Sequence, residues 1–197
     1  MTTALIVVDV QNDFCAGGAL SVPDAAAIFE PLNGAVRAFA SAGLPIFATR
    51  DWHPEDHASF TAHGGIWPRH CVAGSDGAAF SPHLQLGHAY EIVSKGERRD
   101  GDGYSPFEEP ALAGRLAALR VDHIVVCGLA TDYCVRATAL DGRAAGFAVT
   151  LLEDAIRGVE ATPGDVARAV AEMKQAGVAF ANAADLIAQL PTTTTNE

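Results

Sequence analysis

Six short apolar, β-branched runs recur along the chain, each read as a strand. They are ALIVV (residues 4–8), PIFAT (45–49), YEIV (90–93), HIVVC (123–127), AVTLL (148–152) and VAF (178–180). None alternates between apolar and polar residues. A strand that is apolar at every position must be covered on both faces, which is the condition of a parallel sheet enclosed by helices. Helical patterns fill the gaps. They span residues 31–42, 110–119, 131–145 and 163–176, and Gly43, Gly146 and Gly177 stand as stop signals after the first, third and fourth. The expectation is an α/β fold of three layers, with right-handed crossovers and helices on both faces of a mostly parallel sheet.

One stretch breaks this rhythm. Residues 50–88 show little periodicity and are rich in Gly, Pro and His. A loop of that length in a compact domain is usually functional. The tail, residues 191–197, reads as disordered, leaving a single domain over 1–190. The first ten residues, MTTALIVVDV, lack a basic leader and carry Asp9, so they read as a strand rather than a signal peptide.

The formal net charge is −11, which argues against a nucleic-acid or anionic-membrane partner. No apolar run approaches membrane-spanning length. Four cysteines without a CxxC pair suit reduced thiols in a cytoplasm. The partner expected is a small molecule, and the chain could equally stand alone or form a homo-oligomer.

In open α/β sheets, sites lie beyond the carboxyl ends of the strands. Asp9 follows the first run, Lys95 the third and Cys134 the fourth. Singly, these read as a loop cap, a solvated lysine and a packed thiol. Together they form a nucleophile with its base and a cation. Cys134, expected in the first turn of a helix, would tend towards thiolate there. Backbone N–H groups around Ala130 and Cys134 could hold an oxyanion.

A second group lies in DWHPEDH (residues 51–57) and WPRHC (67–71). Asp51 and His53, two apart, aim the same way from an extended segment, and His70 can close the set. Two imidazoles and a carboxylate suit a divalent metal, Zn²⁺, Fe²⁺ or Mn²⁺. His57 and His63 read either as supports behind the ligands or as solvated residues.

The stretches ALIVVDVQNDFCAGGAL, TRDWHPEDHASF, WPRHCVAGSDGAAF, SKG, YSPFE and CGLATDYCVRATALD closely resemble the nicotinamidases among the isochorismatase-like cysteine hydrolases, in family order over almost the whole chain. The resemblance implies a six-stranded sheet in order 3-2-1-4-5-6. It implies that Asp9, Lys95 and Cys134 are a catalytic triad, and that Asp51, His53 and His70 bind a divalent metal, zinc ahead of iron or manganese. Phe14 and Trp67 would sandwich a pyridine ring with Tyr104 nearby. Leu129 and Ala130 match the family's cis-peptide position. The implied activity is hydrolysis of nicotinamide, and of pyrazinamide, through a Cys thioester. Pro106 and Tyr133 depart from the family pattern near the pocket. The alternatives are a relative acting on another small amide or ureido compound, and a silent binding module. The absence of a G-x-G-x-x-G after the first run sets aside dinucleotide binding.

Overall fold

The computed structural model describes residues 2–108 and 110–191. Its six strands are β1 (Thr2–Val8), β2 (Ile46–Asp51), β3 (Glu91–Lys95), β4 (Val121–Leu129), β5 (Ala148–Arg157) and β6 (Ala179–Ala181). They form one sheet in order β3-β2-β1-β4-β5-β6, and every pairing is parallel. The expected order is the one adopted, and the sheet is parallel throughout.

The unbroken apolar runs have the expected cause. In β1, Leu5 and Val7 feed one core and Ala4, Ile6 and Val8 the other. Leu32, Val36 and Phe39 of α1 (Phe29–Ser41) cover the first side. The second is covered by α2 (Pro110–Ala118), α3 (Arg136–Ala144) and α4 (Asp165–Gln175), through Leu116, Ala139 and Met173. A short helix that the sequence pattern did not predict, α5 (Ala183–Ile187), adds Ala183 and Leu186 to the first core. Each such side chain contributes roughly 1.5–3 kcal/mol when fully buried.

Two local departures matter. The helix expected over 131–145 is two pieces: a π-helical turn, Thr131–Val135, and then α3. The N–H of Val135 reaches back five residues to Ala130 O at 3.1 Å. The run expected to end at residue 152 continues to Arg157 through a bulge: Val126 and Gly128 of β4 pair with Leu151 and Ile156 of β5. The bulge aims Asp154 at α5, where its Oδ1 accepts the N–H of Ala183 at 2.9 Å.

Of the tail, residues 192–197 lie outside the described residues. No helix among the described residues is long and apolar enough to cross a membrane.

The chain leaves β1 towards β2 on one side and β4 towards β5 on the other. The crevice at their carboxyl ends is the switch point where such sheets bind ligands. The two strands approach closely there: a Cβ on Gly128 (φ +114°) would lie 2.1 Å from Val8 O. The long segment folds over this end, pinned by bridges between His53 and Val72 and between Phe60 and Trp67.

Candidate active site

Asp9 is the first residue past β1, and it adopts a left-handed backbone (φ 48°). That strain, of order 1–3 kcal/mol, is held by Thr49: the Asp9 N–H reaches Thr49 O at 3.2 Å, and Thr49 Oγ1 donates to Asp9 Oδ1 at 2.6 Å. Lys95 is the last residue of β3, which lies one strand further from β1 than a simple neighbour. Its long side chain crosses the end of β2 to reach the switch point. Cys134 sits in the π-helical turn after β4, and the Leu129–Ala130 peptide before that turn is cis.

Lys95 Nζ is the hub. It donates to Asp51 Oδ1 at 2.5 Å, to Gly103 O at 2.9 Å and to Cys134 Sγ at 3.3 Å. The ammonium has three protons to share among these acceptors and Asp9. Asp9 Oδ2 lies 2.8 Å from Nζ as an ion pair, yet this buried oxygen receives no aligned hydrogen bond among the described residues. The Asp9 carboxylate lies within 4.8 Å of the thiol. The Asp9 carboxylate thus stands beside both the ammonium and the thiol.

Burial makes these charges consequential, because Asp9 is 0%, Lys95 1% and Cys134 6% exposed. Burial works against the Lys95 charge, but Asp51 and Asp9 outweigh it and hold its pKa well above the usual value. Burial raises Asp9, with Asp51 adding to it and Lys95 opposing. Burial also works to raise Asp51, but Lys95 and His53 prevail and keep it well below the carboxylate range. Cys134 is pushed well up by burial, with Asp9 and Asp51 adding to it, against the pull of Lys95. This direction runs against the thiolate expected from a helix terminus. One cation stands among two carboxylates, so a resting thiolate would be a second net negative charge in a dry site. Without a metal's charge beside it, burial and the two carboxylates favour the thiol over the thiolate.

Asp51, His53 and His70 present one ligand atom each, all within 4.8 Å of one another and all buried. His53 Nδ1 meets Gly96 O at 3.0 Å, and His70 Nδ1 meets Pro68 O at 2.7 Å. A carbonyl only accepts, so each Nδ1 carries the proton and each Nε2 keeps its lone pair for the site. His53 Nε2 is 3.6 Å from Asp51 Oδ2. The donor set, two imidazoles and one carboxylate, fits a divalent cation with positions left open. His57 is fully buried rather than solvated. It stacks on His53 with ring centroids 4.1 Å apart, and burial together with His53 pushes its pKa down to about 4. His63 is exposed. Asp9, Asp51 and Cys134 are also mutually close, but the Lys95 ammonium already occupies their centre.

Phe14, Trp67, Tyr104, Ala130 and Cys134 line one cavity together with Asp51, His53 and His70. Trp67 Nε1 donates to Tyr104 Oη at 3.0 Å, and Tyr133 packs edge-on against Trp67 at 4.8 Å. Leu129 is fully buried one residue behind the cavity wall. Of the two departures from the family pattern, Tyr133 lines the cavity and Pro106 does not.

Leu20, Ser59, Asp102 and Val159 also line the cavity, and sequence reasoning did not select them. They come from separate loops and carry no shared spacing. Val159 is placed by Asp132 of the π-helical turn, whose Oδ1 accepts its N–H at 2.9 Å. The larger omission is the contact of Asp51 with Lys95. The β2–β3 register pairs the two residues directly.

Comparison with known proteins gives a consistent result. Residues 3–185 match the isochorismatase domain model. A nicotinamidase of Escherichia coli (strain K12) is 37% identical over 203 residues, covering 92% of this chain and 95% of its own. The crystal structure of a pyrazinamidase of Pyrococcus horikoshii in complex with zinc superposes with a TM-score of 0.87 at 47% identity, covering 92% of this chain and 99% of that one. That of PnC1 from L. infantum in complex with nicotinate gives 0.86 at 38% identity, covering 93% of each chain.

Proposed function

The chain belongs to the isochorismatase domain family, and from that premise we propose that it is a metal-dependent nicotinamidase, hydrolysing nicotinamide to nicotinate and ammonia and accepting pyrazinamide. The observation that carries this reading is one cavity lined by Cys134, by Asp51, His53 and His70 and by the aromatic side chains of Phe14 and Trp67, with Lys95 and Asp9 buried directly behind the thiol. The reading treats residues 1–190 as one hydrolase domain working on a small molecule in the cytoplasm.

The chemistry runs as follows. Asp9 Oδ2 takes the thiol proton as Cys134 Sγ attacks the carboxamide carbon. Lys95 stays protonated and offsets the negative charge that passes through the cluster. Backbone N–H groups at Ala130 and Cys134 receive the oxyanion. Asp9 returns its proton to the amine, the C–N bond breaks and ammonia leaves a thioester. Asp9 then deprotonates water, which attacks the thioester carbon. The C–S bond breaks, the thiol recovers its proton and nicotinate departs. Asp51, His53 and His70 would hold the divalent metal, zinc by likeness to the zinc-bound pyrazinamidase, and when bound it would supply a Lewis-acid anchor for the pyridine nitrogen. Phe14 and Trp67 hold the ring flat, so the gain is orientation.

Ammonia release from nicotinamide, measured before and after chelation, tests the reading. We expect turnover that chelation abolishes and zinc restores. Benzamide, which lacks the ring nitrogen, should be a far poorer substrate, while pyrazinamide is accepted. Equal kcat/KM for benzamide and nicotinamide would refute a metal-anchored ring.

A pH dependence also follows. The base must be ionised, and burial raises the Asp9 pKa. Activity should therefore be lost as pH falls, with the acid limb of kcat/KM above the ordinary carboxylate value near 4. An acid limb at or below that value in a pH–rate profile would exclude Asp9 as the base.

A further inference from the structure

Gln11 is fully buried and is not among the residues lining the cavity, yet both its donor hydrogens and its acceptor oxygen are engaged beside the site. Its Nε2 donates to Asp51 O at 2.8 Å and to Ala78 O at 2.9 Å, and its Oε1 accepts the Asp51 N–H at 2.8 Å. The reason lies in the sheet. Asp51 has β3 on one side, paired at Lys95. On the other side the β1–β2 ladder has ended at Val7 and Ala48, because the chain turns away at Asp9. A primary amide has one donor–acceptor edge like that of a peptide, so the Gln11 side chain takes the place of the strand that has left.

Two residues further on, Asp13 does the same for the other metal-bearing segment. Its Oδ2 accepts the N–H of Cys71 at 2.7 Å, and its Oδ1 accepts that of Ala19 at 3.2 Å. Cys71 directly follows His70 and adopts a left-handed backbone (φ 45°), a conformation that needs an external restraint. The 3₁₀ turn Asn12–Phe14 and its approach are thereby tied to both segments, which are separated by nearly twenty residues of irregular chain.

We propose that Gln11 and Asp13 are positioning residues of the metal centre, the two arms of a clamp that sets where the Asp51 and His70 ligand atoms stand relative to each other. The inference rests on the metal reading above. Neither side chain is placed to ligate the cation. Each acts through a backbone amide adjacent to, or belonging to, a ligand residue, as supporting groups commonly do.

The test is zinc affinity, read by competition with a chromophoric chelator on the whole purified protein, alongside KM and kcat for nicotinamide. Gln11→Met keeps the side-chain volume and removes all three hydrogen bonds. The control is Asn33→Ala, because Asn33 clamps a remote loop in the same two-point way, donating to His83 O at 2.9 Å and accepting the Gln85 N–H at 2.9 Å. Both variants should lose thermal stability. Only Gln11→Met should weaken zinc binding, by roughly ten- to a hundredfold, with KM rising more than kcat falls at saturating zinc. Should Gln11→Met not fold, Asp13→Ala breaks the other arm from a partly exposed position and should weaken zinc in the same direction. Zinc affinity within twofold of wild type in the variants that fold, or an equal loss in Asn33→Ala, overturns the clamp. A wild-type protein that takes up no zinc would instead overturn the metal reading, and the clamp with it.

Discussion

Cys134→Ala should lower kcat for nicotinamide by about five to six orders of magnitude, the scale seen when a covalent nucleophile is removed, while the protein stays folded and still binds the ring. The loss is chemical because the cluster is otherwise self-sufficient. Lys95 keeps Asp51 and Gly103 O as acceptors, and Asp9 stays 2.8 Å from the ammonium. One small buried group is removed, and its place opens onto the cavity rather than creating a sealed void. In the proposed mechanism the ring is held by Phe14, Trp67 and the metal cluster, none of which the substitution removes. Single-turnover kinetics and a nicotinamide titration of the variant check both halves. Residual turnover within tenfold of wild type would remove Cys134 from the mechanism. The other three thiols give the contrast. Cys127 is packed against β1 with its Sγ donating to Ile6 O at 3.8 Å, burial pushes the pKa of both Cys71 and Cys127 well up, and none of Cys15, Cys71 and Cys127 lines the cavity. Alanine at Cys15, Cys71 or Cys127 should preserve kcat in whatever fraction folds.

The sheet could be read from the chain because parallel strands leave a mark that depends on burial alone. Residues 4–8 are apolar on both faces because both faces are covered. The same logic missed the end of β5. Glu153 and Asp154 interrupt the apolar pattern at the bulge, and Asp154 is spent on capping α5. Nor does composition distinguish an i→i−5 turn from an α-helix, so Thr131–Val135 read as ordinary helix. The site divides in the same way. Asp51, His53 and His70 are marked by residue type and short spacing, and Asp9, Lys95 and Cys134 by position after strands. Gln11 is an amide among polar neighbours, and its purpose appears only once β1 has turned away from β2. The electrostatics were least legible of all. The pKa of Cys134 depends on counting both carboxylates around Lys95, and the second of them had been assigned wholly to the metal.

That second carboxylate predicts the other large effect. Asp51 Oδ1 accepts from Lys95 and Oδ2 faces His53, so one side chain serves both the thiol cluster and the metal cluster. His70 serves only the second. Removing either should weaken metal binding, but only Asp51 should also disturb the chemistry. In Asp51→Asn the shared negative charge is gone. Lys95, still buried and protonated, is left with Asp9 as its one anionic partner, and the undivided pull of the ammonium should make Asp9 a weaker base. Breaking one side of a buried ion pair costs about 3–5 kcal/mol, and some of that should appear as lost stability. The two variants therefore separate under excess zinc. His70→Ala should regain much of its kcat as mass action refills the weakened site, with KM remaining high. Asp51→Asn should not: its kcat should stay at least about a hundredfold down, the cost of losing a well-poised general base. Steady-state kinetics of both variants across a zinc titration decide it. If zinc rescues Asp51→Asn as fully as His70→Ala, then Asp51 is a metal ligand and nothing more, and the two clusters work independently.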